Sequence, residues 1–165
     1  MEVKVQAQKF SFLLIALALS ACASPVMFQR YSEYLLPIAL PESVQPVDSE
    51  LATSAGQEKF KSGDFGASVL YFQQAAAAFP NNVENWLALA AAADRAGRFD
   101  ISRSAYEKAL SVGGPVFEYY NNVGFSYLLQ GRLAEAERAL MTALSLKPYD
   151  ETALNNVALL QRIKG

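Results

Sequence analysis

The chain has 165 residues, 52% of them hydrophobic and 18% charged, with a mean hydropathy of +0.11 and a formal charge of −2, enough for one compact domain with an apolar core. It contains no histidine and a single cysteine, so imidazole acid–base chemistry, His/Cys metal sites and an intrachain disulfide are excluded. With a pI near 5.2 and no cluster of Lys and Arg, there is no electrostatic case for nucleic acid as a partner, and no residue pattern calls for a cofactor or a metal.

In chain order, Lys4 and Lys9 precede an apolar run from Phe10 to Leu19, and small residues follow. This is the order of a secretory signal, and the run is too short to cross a bilayer, which takes about 20 apolar residues. The segment ends Leu19-Ser20-Ala21-Cys22, which resembles the lipobox of bacterial lipoproteins and uses the only cysteine of the chain. The resemblance implies a signal peptide over 1–21, cleavage before Cys22, and a diacylglycerol thioether plus an amide-linked acyl chain such as palmitate on that residue. Several buried chains make attachment to a membrane stable where one would be marginal. Ala23 follows the cysteine in place of the aspartate that retains enterobacterial lipoproteins at the inner membrane, so the resemblance favours the periplasmic face of the bacterial outer membrane. Cleavage would remove Glu2, Lys4 and Lys9 and leave a charge of −3.

Residues 22–48 hold Pro25, Pro37, Pro41 and Pro46 among Ser, Glu and Gln, the composition of an extended tether. Within it, Ser24-Pro25 can cap a short helix reaching Leu36, with Met27, Tyr31, Tyr34 and Leu35 on one face. Packing on the following domain, contact with the membrane and binding of a partner are all open to such a helix.

From Ser49 onward the signal is a repeat: Gly63, Gly97, Gly131 and Gly165 stand 34 residues apart, each after a stretch of helical apolar spacing. That period divides the array into 49–82, 83–116 and 117–150, with a final helix over 151–164. The fourth position of the first helix is large in Trp86, Tyr120 and Leu154, though not in Ala52, and the eighth is always small: Gly56, Ala90, Gly124 and Ala158. The second helix alternates Phe65, Phe99 and Leu133 with small Ser68, Ser102 and Ala136, then Phe72, Tyr106 and Leu140 with Ala75, Ala109 and Ala143. Pro80 and Pro148 close the first and third units. The pattern resembles tetratricopeptide repeats, which implies an all-α helical solenoid of three helix-turn-helix units plus a capping helix, its Gln161, Arg162 and Lys164 turned to solvent. Lys59 and Ala93 depart from the aromatic eleventh position that Tyr127 keeps, and in the first unit, where Ala52 also replaces the bulky residue, a weakly packed opening helix is predicted.

In that family the first helices line a concave face, which on this chain implies Glu84, Leu87, Ala88, Ala91, Asp94, Arg95, Glu118, Asn121, Asn122, Phe125, Leu128, Leu129, Asn155, Asn156, Leu159, Arg162 and Ile163. Two readings of the asparagines stand: amide pairs that hold an extended peptide while Phe125, Leu128 and Leu129 take its side chains, or bonds between neighbouring helices. Thr53, Leu87 and Asn121 occupy the fifth position, where carboxylate-clamping members carry lysine, which disfavours a chaperone tail. By resemblance to small lipoproteins of this type, the expected function is an adaptor that binds another envelope protein and assists assembly or localisation of a machine such as a Tad or type IV pilus or a secretion system. Regulation of cell-wall enzymes and a structural homo-oligomer are the alternatives. An enzyme or small-ligand receptor is the weakest reading, since only Asp94 with Arg95, Glu84 and Glu118 offers a constellation.

Overall fold

A computed structural model describes residues 37–165; the signal segment, Cys22 and the helix expected over 25–36 lie outside the described residues. Seven helices follow one another: α1 (Ser49–Lys61), α2 (Phe65–Ala78), α3 (Val83–Arg95), α4 (Phe99–Gly113), α5 (Phe117–Leu129), α6 (Leu133–Leu146) and α7 (Glu151–Lys164), with no strand among the described residues. α1 packs on α2, α3 on α4 and α5 on α6, while α2 touches α3 and α6 touches α7, so hairpins stack in sequence and α7 stands alone at the end. The fold is an all-α solenoid of the tetratricopeptide type.

Local chemistry sets these boundaries. Asp64, Asn82 and Asp150 cap α2, α3 and α7, each accepting from a backbone N–H three residues on at 3.0–3.3 Å. The turn inside each hairpin needs a left-handed residue: Gly63, Gly97 and Gly131 have φ of 81°, 69° and 71°. In each, the next residue's N–H reaches back five positions to a helix carbonyl, as Arg98 does to Ala93 at 2.8 Å. The ladder of glycines is therefore a ladder of identical helix stops.

Packing follows the small-against-large scheme. An added Cβ at Gly56 would lie 2.9 Å from the Phe72 ring, and one at Gly124 would lie 2.7 Å from Leu140 Cδ2 and Cγ. The missing side chain is what lets the second helix approach so closely. Ser68, buried at this contact, donates its hydroxyl to the Gly56 carbonyl at 2.9 Å, so its polarity is satisfied inside the hairpin. The main core runs through Val69, Phe72, Leu89, Ala90, Tyr106 and Val123, and a second through Leu128, Ala136, Leu140, Leu160 and Ile163. Among the described residues no buried side-chain N or O lacks a hydrogen-bond partner.

Two differences from the sequence expectation stand out. Trp86, a large fourth-position residue, packs against the main core but stays half-buried, because its indole N–H donates to the Pro80 carbonyl at 2.8 Å and ties the inter-repeat loop to α3. The last part of the tether is also not a free spacer. Ile38 N–H donates to the Ala96 carbonyl at 2.8 Å, Leu40 packs on the main core, Ala39 and Pro41 lie over Gly66, and Gln74 donates to the Val47 carbonyl at 2.7 Å. This strap covers α2, and it adds packing to a first hairpin whose α1 fully buries only Ala52 and Gly56.

Gly124→Ala tests the close approach. The gain in helix propensity is about 1 kcal/mol, whereas forcing Leu140 and the α6 backbone aside costs about 1–3 kcal/mol, so a net loss of stability is expected in urea unfolding. Alanine at the exposed Ala134 position already exists and marks the contrast: there a methyl group meets solvent.

Candidate interaction face

The first helices α1, α3, α5 and α7 carry the positions expected on the concave face, and the structure sorts them. Glu84, Arg95, Glu118, Asn155 and Arg162 are exposed, and Ala88, Ala91, Asn122, Phe125, Leu129, Asn156 and Leu159 are half-buried. Leu87, Asp94, Asn121, Leu128 and Ile163 are buried, and their assignment as ligand-contacting residues is corrected. Leu128, at 0% exposure, and Ile163 belong to the second core, and Leu87 to the main core. Position twelve of a first helix turns inward at α3 and α5, toward its own hairpin and the next repeat.

Asp94 shows this best. At 2% exposure, its Oδ2 accepts from the Tyr106 hydroxyl at 2.9 Å and its Oδ1 from the Ser126 hydroxyl at 2.8 Å, so one carboxylate joins α3, α4 and α5. Gln130 Nε2 donates in turn to Ser126 Oγ at 3.1 Å. Burial pushes the Asp94 carboxyl above its ordinary value, against the pull of hydrogen bonds from Ser102, Ser126 and Tyr106. Burial, with the adjacent carboxylate, pushes the Tyr106 phenol well up, so it remains a donor. The sequence reading missed this network because Asp94 was placed by family position; its partner Ser126, in the last turn of α5, stands where the other units have Glu58 and Ala92.

The asparagines serve neighbouring helices in part. Asn156 Nδ2 donates to Asn121 Oδ1 at 3.0 Å, Asn121 Nδ2 donates to Asn122 Oδ1 at 3.3 Å, and Thr53 donates to the buried Asn85 Oδ1 at 2.9 Å. The Asn122 amide N–H groups and the exposed Asn155 remain for a ligand. Around them, Phe125 and Leu159 form a half-buried apolar floor on the second core. Arg95 lies over Phe65 at 4.4 Å and Phe60 at 5.9 Å from the ring centroids, a cation held on an aromatic shelf. Glu118 Oε1 accepts from Lys147 at 2.6 Å, which holds its carboxyl below the ordinary value. Among the described residues no three His, Cys, Asp or Glu gather as metal ligands. A separate shallow cleft of about 410 Å³ lies between α2 and α4, lined by Gln73, Trp86, Leu89, Asp100 and Ile101.

Sequence comparison matches the tetratricopeptide repeat family model over residues 53–100 and 87–151, most of the array. The chain belongs to the tetratricopeptide-repeat family. Its fold is similar to the first such domain of human RPAP3 (20% identity, 70% of this chain and 91% of that one, TM-score 0.63) and to the domain of Arabidopsis OM64 (22%, 69% and 94%, TM-score 0.62). It is also similar to the first domain of Spaghetti (RPAP3) bound to the HSP90 peptide SRMEEVD (20%, 74% and 97%, TM-score 0.61). No curated protein matched the sequence. Tetratricopeptide domains are protein-interaction modules, and these likenesses establish the scaffold.

The buried carboxylate makes a pH prediction. Because the folded state holds the Asp94 proton more tightly than the unfolded chain, its contribution to stability falls as pH rises from the ordinary carboxylate range through the raised value. Asp94→Asn removes this titration, so its unfolding midpoint should depend less on pH over that interval than the wild type's, as read by urea melts at stepped pH.

Proposed function

We propose that this protein is a lipid-anchored adaptor of the bacterial envelope, tethered through Cys22 at the periplasmic face of the outer membrane, whose concave face holds a segment of another envelope protein during assembly or localisation of a pilus or secretion machine. The observation that carries the groove assignment is the half-buried strip of Ala91, Phe125, Leu129 and Leu159, bordered by Asn122, Asn155 and Arg95. Apolar area for anchors beside spare amide groups for a peptide backbone is the composition of a peptide-binding groove. A similar scaffold holds a peptide in the HSP90-peptide complex, which supports a peptide or helix as the kind of partner.

The acidic end of that peptide does not transfer to this groove. Thr53 and Asn121 replace lysine at the fifth position, and Glu84 and Glu118 would repel a carboxylate. A segment with apolar side chains and no acidic terminus fits better. Two carboxylates of the candidate constellation are already engaged: Asp94 is buried and held by two hydroxyls, and Glu118 is paired with Lys147.

Affinity capture with cross-linking from whole envelopes should lose one specific protein in the Asn122→Ala/Phe125→Ala variant. Equal capture by wild type and variant would remove the groove from the proposal. Independently, Cys22→Ser should move the protein out of the detergent phase, and unchanged partitioning would end the lipoprotein assignment.

A further inference from the structure

Each second helix seats a bulky side chain on a small residue of its own first helix: Phe72 on Gly56, Leu140 on Gly124, and Tyr106 in one core with Ala90. α7 is a first helix with the corresponding small residue, Ala158, and among the described residues nothing covers it. Leu154 beside it is 44% exposed, and Glu151, Asn155, Gln161 and Arg162 are exposed around the pair. Glu151, Leu154, Ala158 and Gln161 alternate at three and four residues, which is one continuous stripe of a helix. Of the other large apolar residues left exposed, Met141, Leu146 and Tyr149 belong to α6 and to the loop before α7, at the same end of the array, while Ile38, Leu51, Phe79, Val112 and Val116 are scattered over the rest of it.

We propose that this stripe is covered by α7 of a second copy, the two helices running antiparallel about a two-fold axis level with Asn156. In that arrangement Leu154 of each chain sits on Ala158 of the other, the same large-on-small contact that closes every hairpin. Glu151 of each faces Gln161 and Arg162 of the other, so the acidic start of one helix meets the basic end of its mate. A parallel pair would set Leu154 on Leu154 and Glu151 on Glu151 and leave a gap at Ala158. The stripe is thus complementary to itself in size and charge about one axis, which an isologous contact requires and a foreign helix does not. One helix pair buries less than the roughly 1,200 Å² of a standard interface, so the dimer is weak in dilute solution. Confinement of both copies to one surface raises their effective concentration. The pairing rests on the lipid-anchored reading for this confinement alone and does not use the apolar floor of the groove.

The test uses the full chain in membranes with Asn155→Cys, which lies close to the axis, and a short bis-maleimide cross-linker; the wild-type chain reports any background from Cys22. A cross-linked dimer well above background is expected. Adding Leu154→Glu should lower its yield about tenfold. Glu151→Arg and Arg162→Glu should each lower it, and the two together should restore it, because the swapped charges again face each other. Circular dichroism checks that these exposed substitutions leave the fold intact. Absence of the dimer, indifference to Leu154→Glu, or a double charge variant no better than the single ones overturns the proposal.

Discussion

The structure depends on one arrangement repeated in every hairpin: a bulky residue in the second turn of a second helix packed with a residue of little or no side chain in the middle of a first helix, in direct contact at Phe72 on Gly56 and Leu140 on Gly124 and within one core for Tyr106 and Ala90. At Gly56 and Gly124 there is no space for even a methyl group. Because the contact fixes how far apart two helices lie and how they are staggered, it leaves the turn between them a fixed length. The left-handed glycine then follows as the residue able to stop one helix and reverse the chain there without strain. The 34-residue period is the sequence trace of that distance.

The same contact explains what becomes of the ends. At the N-terminal end, α1 has its partner in α2 but no preceding repeat, and the strap from Ile38 to Val47 lies on α2 instead, bonded to Ala96 and Gln74. Gly66 is part of this arrangement: a Cβ there would press on Pro41 and the Ala39 carbonyl at 3.2–3.3 Å. At the C-terminal end the small residue is present and the bulky one is not. Among the described residues, the small residue of α7, Ala158, is therefore left without the bulky partner that Gly56 and Gly124 have.

The helices and their register were legible from spacing because a repeat states each rule several times. Ala90 and Gly124 at one position, or Phe72 and Leu140 at another, identify each other by recurrence. Features that occur once were not legible. The strap over 37–47 is held by two single hydrogen bonds, from Ile38 N–H to the Ala96 carbonyl and from the Gln74 amide to the Val47 carbonyl, and by isolated side-chain contacts of Leu40 and Pro41, which make no periodic pattern. Trp86 was legible as a large fourth-position residue and does pack against the core, but the bond from its polar edge to the Pro80 carbonyl occurs once and was not. On the concave face, family positions identified exposed and half-buried residues such as Arg95 and Phe125, and misplaced Asp94, Leu128 and Ile163. The turn between hairpins rotates the last residues of a first helix toward the next repeat, and no single-repeat rule contains that rotation.

Asp94 joins packing to the groove. Its two oxygens bind Tyr106 within the second unit and Ser126 on the first helix of the third, so the carboxylate sets the angle between two adjacent walls of the concave face. Hydrophobic side chains at the same place would pack as densely but could slide past one another, whereas two directional bonds fix both separation and rotation. The Asn121–Asn156 bond does the same between the third unit and α7, with amides in place of a charge. A groove whose curvature is held by such cross-links presents its apolar floor in one shape before any partner arrives, which lowers the ordering cost of binding. The residues that were misassigned as ligand contacts are in this sense the ones that shape the site.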